Sequence, residues 1–167
     1  HEEHLILAVP SHFPINASLK DYQITDLQIQ NGSFLNPSFP IVPLKSFKGL
    51  PFIMMKNEND TGKSTVGKAL FSVFNTGRRA RLICQDSNFK PNIILNMDQQ
   101  MTAYNICQSG MGISFIGDIM LSRIPHNHNV VYYKLPAQHN SRRICFYWKK
   151  GRYFTKAMEE FLNMSCK

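Results

Sequence analysis

The loop Lys56-Asn57-Glu58-Asn59-Asp60-Thr61-Gly62-Lys63-Ser64-Thr65 concentrates the residue types best suited to hold an anion. Gly62-Lys63-Ser64 is the second half of a phosphate-cradling P-loop, in which backbone amides wrap a triphosphate and the lysine reaches its outer phosphates. The first half is missing, because Asn57 stands five residues before Gly62 where that motif needs glycine. No strand carrying a magnesium carboxylate follows. Three readings remain open: a nucleotide-handling loop, a helix start rich in capping residues, and a cradle for a small anion. The residues favour the third. Helix N-terminal amides have no intrahelical partner, and Lys63 with the Thr61 and Ser64 hydroxyls would add charge and donors for a carboxylate or similar group.

Other constellations carry less. His126-Asn127-His128 offers two ligands to a metal but no third nearby, so no metal is expected. Ser109 precedes a glycine but lacks the strand-to-helix elbow of a G-x-S-x-G hydrolase, and Asp118 has no partner in sequence for acid/base work. No catalytic set emerges and no cofactor is implied; the chain reads as a non-enzyme. Cys84, Cys107, Cys145 and Cys166 lie far apart, the first three in apolar patterns, and read as buried free thiols in a reducing compartment. The formal glycosylation sequons at Asn16, Asn31, Asn59 and Asn163 are too common as tripeptides to carry weight. Trp148 reads as structural.

These residues must be positioned by alternating strands and helices. In Gln108-Ser109-Gly110-Met111-Gly112-Ile113, Gly110 suits the left-handed residue that ends a helix, and Gly112 lets the backbone pass close to a neighbour before a buried strand. Apolar runs predict strands at 5–9, 51–55, 81–84, 113–116, 130–135 and 144–148, with weaker candidates at 24–29 and 41–44. Amphipathic patterns predict helices over 64–75, stopped by Thr76-Gly77, over 98–109 with Asp98 as N-cap, near 118–123, and over 153–164. Strands alternating with helices mean an α/β fold, with crossover connections implying mainly parallel strands.

The formal charge of +8 admits nucleic acid, a membrane surface or an anionic ligand as partner. Its basic pairs, Arg78-Arg79, Arg142-Arg143 and Lys149-Lys150, are scattered without a stripe of basic and aromatic residues, which argues against direct nucleic-acid binding. No apolar run approaches a membrane span, so the expectation is a soluble, cytoplasmic protein.

The succession His4-Leu5-Ile6-Leu7-Ala8-Val9-Pro10-Ser11-His12-Phe13-Pro14, then Leu50-Pro51-Phe52-Ile53, then Gly110-Met111-Gly112-Ile113 resembles the effector-binding domain of LysR-type transcriptional regulators. That family uses an apolar strand with a His-Pro element, a strand containing Pro-Phe-Ile and a Gly-x-Gly-Ile joint, in this order. The resemblance implies a two-lobe, periplasmic-binding-protein-like (type II) fold with lobe II complete at 13–135 and lobe I partial at 1–12 and 136–167. A half-lobe leaves sheet edges unpaired, which invites association with another copy. Here Phe13 splits the His-Pro pair, Gly117 stands where the family usually has proline, and residues 15–47 form a long connection. In the family the helix-turn-helix DNA reader and its linker helix would lie before His1, so DNA would be reached only through that N-terminal region.

By position, the resemblance places an interlobe effector site at Asp60, Thr61 and Gly62 and at Met97, Asp98 and Gln99, with Phe115 in its apolar wall. The anion-cradle reading adds Lys63 and Ser64. The implied protein is a ligand-sensing regulatory domain that binds a small anionic co-inducer and modulates a homo-oligomer, with no membrane partner. A solute-binding protein, or a nucleotide-handling enzyme on a related α/β fold, is the alternative.

Overall fold

The computed structural model describes residues 1–56, 76–125, 127–145, 149–151 and 153–165. The helix expected over 64–75, the loop residues Asp60 to Ser64 and Trp148 lie outside them. Among the described residues the strands are β1 (Glu2–Pro10), β2 (Gln23–Ile24), β3 (Pro51–Met55), β4 (Asn92–Met97), β5 (Ile113–Gly117), β6 (Val130–Lys134) and β7 (Ser141–Arg143). The helices are α1 (Ile15–Ser18), α2 (Asp26–Gln30), α3 (Thr76–Asp86), α4 (Gln100–Gln108), α5 (Asp118–Leu121) and α6 (Lys156–Ser165). The strands join one sheet in the order β2-β6-β1-β5-β3-β4, with β7 paired to the start of β1.

β1 is the spine. Leu5, Ile6, Leu7, Ala8 and Val9 are all fully buried, because helices and loops cover both faces and a continuous apolar run then suits a strand better than alternation. Leu7 and Val9 pack on one face with Phe47, Phe52, Ile83 and Phe115. Ile6 and Ala8 pack on the other with Ile53, Tyr104, Cys107 and Ile116.

The strands are not mainly parallel as the alternation implied. β3 runs parallel to β4 and β5, whereas β1 is antiparallel to β5, β6 and β7, and β2 to β6. The pattern of apolar residues fixes which faces are buried but not the direction in which a ladder is entered.

Several elements differ from their expected type. Residues 81–84 are helical, in α3, because Arg79, Ala80, Ile83 and Cys84 recur with helical spacing and bury one face. Thr76 and Gly77, expected as a stop, are themselves helical. A Cβ on Gly77 would lie 2.3 Å from the Met55 carbonyl oxygen, so glycine here permits the close approach of α3 to the end of β3. Within 24–29 only Ile24 is in a strand. Thr25 caps α2 in a capping box with Gln28, which draws the chain into a helix. Residues 41–44 make no ladder; Val42 gives one amide to the Lys134 carbonyl before a 3-10 turn over Leu44–Phe47. Of the strand expected over 144–148, residues 146–148 lie outside the described residues; the last described strand is Ser141–Arg143, held by cross-strand pairing to Glu2 through His4. Cys84 and Cys107 are buried free thiols as read, but Cys145 is exposed beyond that strand.

The glycine joint forms as its sequence implies. Gly110 has φ +89°, its amide bonds the Cys107 carbonyl at 2.9 Å, and the Met111 amide reaches back to the Ile106 carbonyl at 3.3 Å. This is a Schellman ending, which satisfies the last carbonyls of α4. A Cβ on Gly112 would come within 3.0 Å of the Pro51 carbonyl oxygen, so the entry to β5 lies against the start of β3.

Candidate functional site

The chain leaves β3 to reach β4 on one side and returns through α4 to β5 on the other. Strand order therefore reverses about β3, and the carboxyl ends of β3, β4 and β5 share one edge. In open α/β sheets ligands bind outside the carboxyl ends of parallel strands, at such a reversal.

At that edge the Lys56 amide bonds the Met97 carbonyl at 2.8 Å, extending the β3–β4 ladder by one step. Lys56 Nζ then meets Asp98 Oδ2 at 2.8 Å. The pair is open to water, with the side chains 45% and 72% exposed, so solvent screens it. Asp98 does not cap α4. The Asp98 carboxylate is turned to Lys56, and Gln99 is the N-cap without a side-chain cap bond, its Oε1 accepting from the Thr102 hydroxyl at 3.3 Å. The Gln100 amide Nε2 donates to Thr76 Oγ1 at 3.3 Å, tying the first turns of α4 and α3 together. Arg81 NH1 donates to the Met55 and Gly77 carbonyls at 2.9 and 3.2 Å, holding the start of α3 on the end of β3.

Of the expected site residues, Met97, Asp98 and Gln99 stand together at this edge, Met97 half-buried and the other two exposed. Phe115 is 2% exposed and stacks on Phe52 at 6.1 Å within the core face covered by α3. Met97 packs against the opposite core face. Asp60, Thr61, Gly62, Lys63 and Ser64 lie outside the described residues. Sequence reading missed Lys56, Thr76 and Gln100. A lysine directly after a buried strand was the available signal for Lys56; the other two become visible only once 76–86 is known to be a helix.

The same edge carries a buried polar cluster. The β1 residue Glu3 lies directly across the ladder from Arg142 of β7. Glu3 is 4% and Arg79 of α3 is 3% exposed. Arg79 NH1 donates to Glu3 Oε2 at 3.0 Å, and its NH2 reaches the carbonyls of Glu3 and Asn140. Arg142 Nε lies 2.5 Å from Glu3 Oε2, and its NH2 donates to Oε1 at 3.1 Å. Burial pushes the Arg79 guanidinium below its ordinary value, opposed by its bond to Glu3. Beside this cluster Asp118 accepts the His4 amide at 2.9 Å and faces His4 Nδ1 at 3.3 Å. The partner missing from the sequence neighbourhood of Asp118 is thus supplied across the sheet. Among the described residues no group of three or more His, Cys, Asp or Glu side chains is placed to hold a metal, and no helix is long and apolar enough to cross a membrane.

Comparison with known proteins adds the following. The chain is 24% identical over 126 residues to an "Uncharacterized HTH-type transcriptional regulator YcgK" of Bacillus subtilis (strain 168), covering 75% of this chain and 33% of that protein. Among solved structures it is similar to the Synechocystis PCC6803 CcmR regulatory domain in complex with 2-PG, with TM-score 0.57 and 10% identity over 98% of this chain and 61% of that one. Full-length BenM matches with TM-score 0.48 and 14% identity, over 99% of this chain and 46% of that one. The chain therefore spans less than two thirds of the length of these relatives. The family model described as "LysR substrate binding domain" matches residues 68–165, more than half of the chain. With that match, the mixed sheet and its periplasmic-binding-protein-like (type II) fold have their place: the chain belongs to the LysR substrate-binding domain family.

Proposed function

We propose that this chain is the effector-sensing part of a LysR-type transcriptional regulator, holding a small anionic co-inducer at the carboxyl edge of β3 and β4. The observation that carries the reading is the convergence there of two strand ends and the first turns of α3 and α4, at the point where strand order reverses. Helix N-terminal amides attract a carboxylate or phosphate. Lys56 contributes a cation, and the reading assigns Asp60, Thr61, Gly62, Lys63 and Ser64 to the same site from their sequence chemistry. Met97, Asp98 and Gln99 form its second wall, and Phe115 contributes from the other core face, beneath α3.

On this reading the sheet is lobe II, spanning 13–135 together with the inner half of β1. The outer end of β1 and residues 136–167 lead to and belong to lobe I, with the β1–β7 ribbon as the connection. Ligand closes the lobes and shifts the arrangement of a homo-oligomer, and DNA is reached through a helix-turn-helix outside this chain. The complex of the CcmR regulatory domain with 2-PG fits the same class of use.

The test is a thermal-shift and calorimetric titration of the protein with a set of small carboxylates and phosphorylated acids and with uncharged amides and alcohols of the same skeletons. A ligand at a hundred times its Kd stabilises the fold by about 2.7 kcal/mol. Thr61→Ala should weaken binding by about 1 kcal/mol or more where its hydroxyl bonds the ligand. Saturable binding of uncharged compounds alone would overturn the anionic assignment. Binding that Thr61→Ala and Gln99→Ala leave unchanged, with folding intact, would move the site elsewhere.

A further inference from the structure

The Glu3 carboxylate is enclosed by three elements that are far apart in sequence. Arg142 reaches it from β7, Arg79 from α3, and the backbone of Gly117 lies beneath it. Gly117 has φ −75°, which any residue adopts, so its glycine is required for space and not for backbone conformation. A Cβ there would lie 2.6 Å from Glu3 Oε1 and 2.8 Å from its carboxyl carbon. The carboxylate thus occupies the volume that a side chain at position 117 would fill.

Arg79 is also one helical turn from Thr76, so both belong to one stripe of α3. Thr76 is tied to Gln100 at the effector edge, and Arg79 is tied to Glu3 and to the Asn140 carbonyl just before β7. We propose that Glu3, seated over Gly117 between Arg79 and Arg142, clamps α3 to the β1–β7 ribbon, so that a displacement of the first turn of α3 is delivered to the ribbon. The buried Arg79 guanidinium donates both to the Glu3 carboxylate and to the Asn140 carbonyl, so moving it off either one leaves a buried polar group unpaired, which resists gradual loosening. The inference rests on the proposed function for what moves α3, but the mechanical link is testable without any effector.

The experiment reads amide hydrogen exchange of the whole chain by mass spectrometry. Thr76→Val breaks the bond to Gln100 at the effector edge, and the readout is exchange at Glu2 to His4 and Ser141 to Arg143. In the otherwise native protein, Thr76→Val should speed ribbon exchange about three-fold or more. In an Arg79→Met background the ribbon should already exchange at least ten-fold faster, and Thr76→Val should add nothing. Exchange at Ile6 to Ala8 should stay slow throughout, showing an intact sheet. Gly117→Ala keeps all three charges but fills the seat of the carboxylate, and should uncouple the ribbon as Arg79→Met does. It also serves should Arg79→Met not fold. A ribbon indifferent to Thr76→Val in the native background, or equally responsive with and without Arg79, would overturn the clamp. Absence of any effector would leave these outcomes readable and would refute only the source of the displacement.

Discussion

Replacing Gly110 by alanine probes the joint that aims α4 at the effector edge. The residue has φ +89°, where an L side chain costs about 1–2 kcal/mol per residue. The new methyl group would also lie 2.6 Å from His12 Cε1. His12 is exposed, so its ring can swing away, losing the edge-on contact it makes with Phe13 at 5.0 Å, worth about 0.5 kcal/mol. The sum is a destabilisation of about 2 kcal/mol, and with a urea m-value of about 2 kcal/mol/M the unfolding midpoint should fall by about 1 M. In a His12→Ala background the contact is already gone, so Gly110→Ala should cost only about 1.5 kcal/mol, the backbone part alone. The assay is urea denaturation of the four proteins of this cycle followed by circular dichroism. A cost below about 0.5 kcal/mol for Gly110→Ala would refute the left-handed ending of α4. A cost that is larger without His12 than with it would refute the contact.

Phe52→Ala should cost about 3–5 kcal/mol, since the ring is fully buried against Phe89 and Phe115; a thermal melt measures it. Glu3→Ala should destabilise by about 3–5 kcal/mol by leaving two guanidiniums facing each other without their carboxylate, whereas Asp98→Asn should change stability by less than about 1 kcal/mol because its pair with Lys56 is open to water. Stability should fall as pH rises above about 9: burial raises the Cys84 and Cys107 thiols from 9.0 to about 12 and the Tyr133 hydroxyl from 10.0 to about 12. Between those values the native state holds protons that the unfolded chain has released, so unfolding is favoured, and the full contribution is present only below the unfolded values. Denaturation midpoints at pH 8, 9.5 and 11 check the sign. At pH 8 a thiol reagent should leave Cys84 and Cys107 unmodified until denaturant is added, which mass mapping of the labelled peptides reads directly.

The sequence was most legible where one residue type has one structural use. Gly110 and Gly112, the apolar spine at Leu5 to Val9, and the Pro51–Met55 strand all stand where the pattern places them. It was least legible where local pattern and tertiary contact compete. Arg81-Leu82-Ile83-Cys84 is too short an apolar run to distinguish strand from helix, and the preceding Gly77 looks like a stop until the Met55 carbonyl is seen against it. β4, at the end of the described strand order, is largely exposed and offers little apolar alternation from which a strand could be predicted. Gly117 departs from the proline expected by resemblance because Glu3 lies over it, a contact made across the sheet and invisible along the chain. At the candidate site the helix-start chemistry could be read locally, but Lys56 meeting Asp98 and Thr76 meeting Gln100 depend on how β3, α3 and α4 are stacked.

The position of β1 also governs the order in which the molecule can be made. β1 is the centre of the sheet, yet its partners are made long after it: the Leu5 amide bonds Asn140, 135 residues away, and its ladders are to β5 and β6. At about 5–20 residues per second, synthesis leaves this wholly apolar segment without its ladder for on the order of ten seconds. Closing so long a loop before any reward also slows spontaneous refolding. Nascent-chain yield should therefore depend on holding Leu5 to Val9 apart from other chains until β6 emerges, so that overexpression, more than sequence changes at the surface, decides how much of this protein is recovered folded.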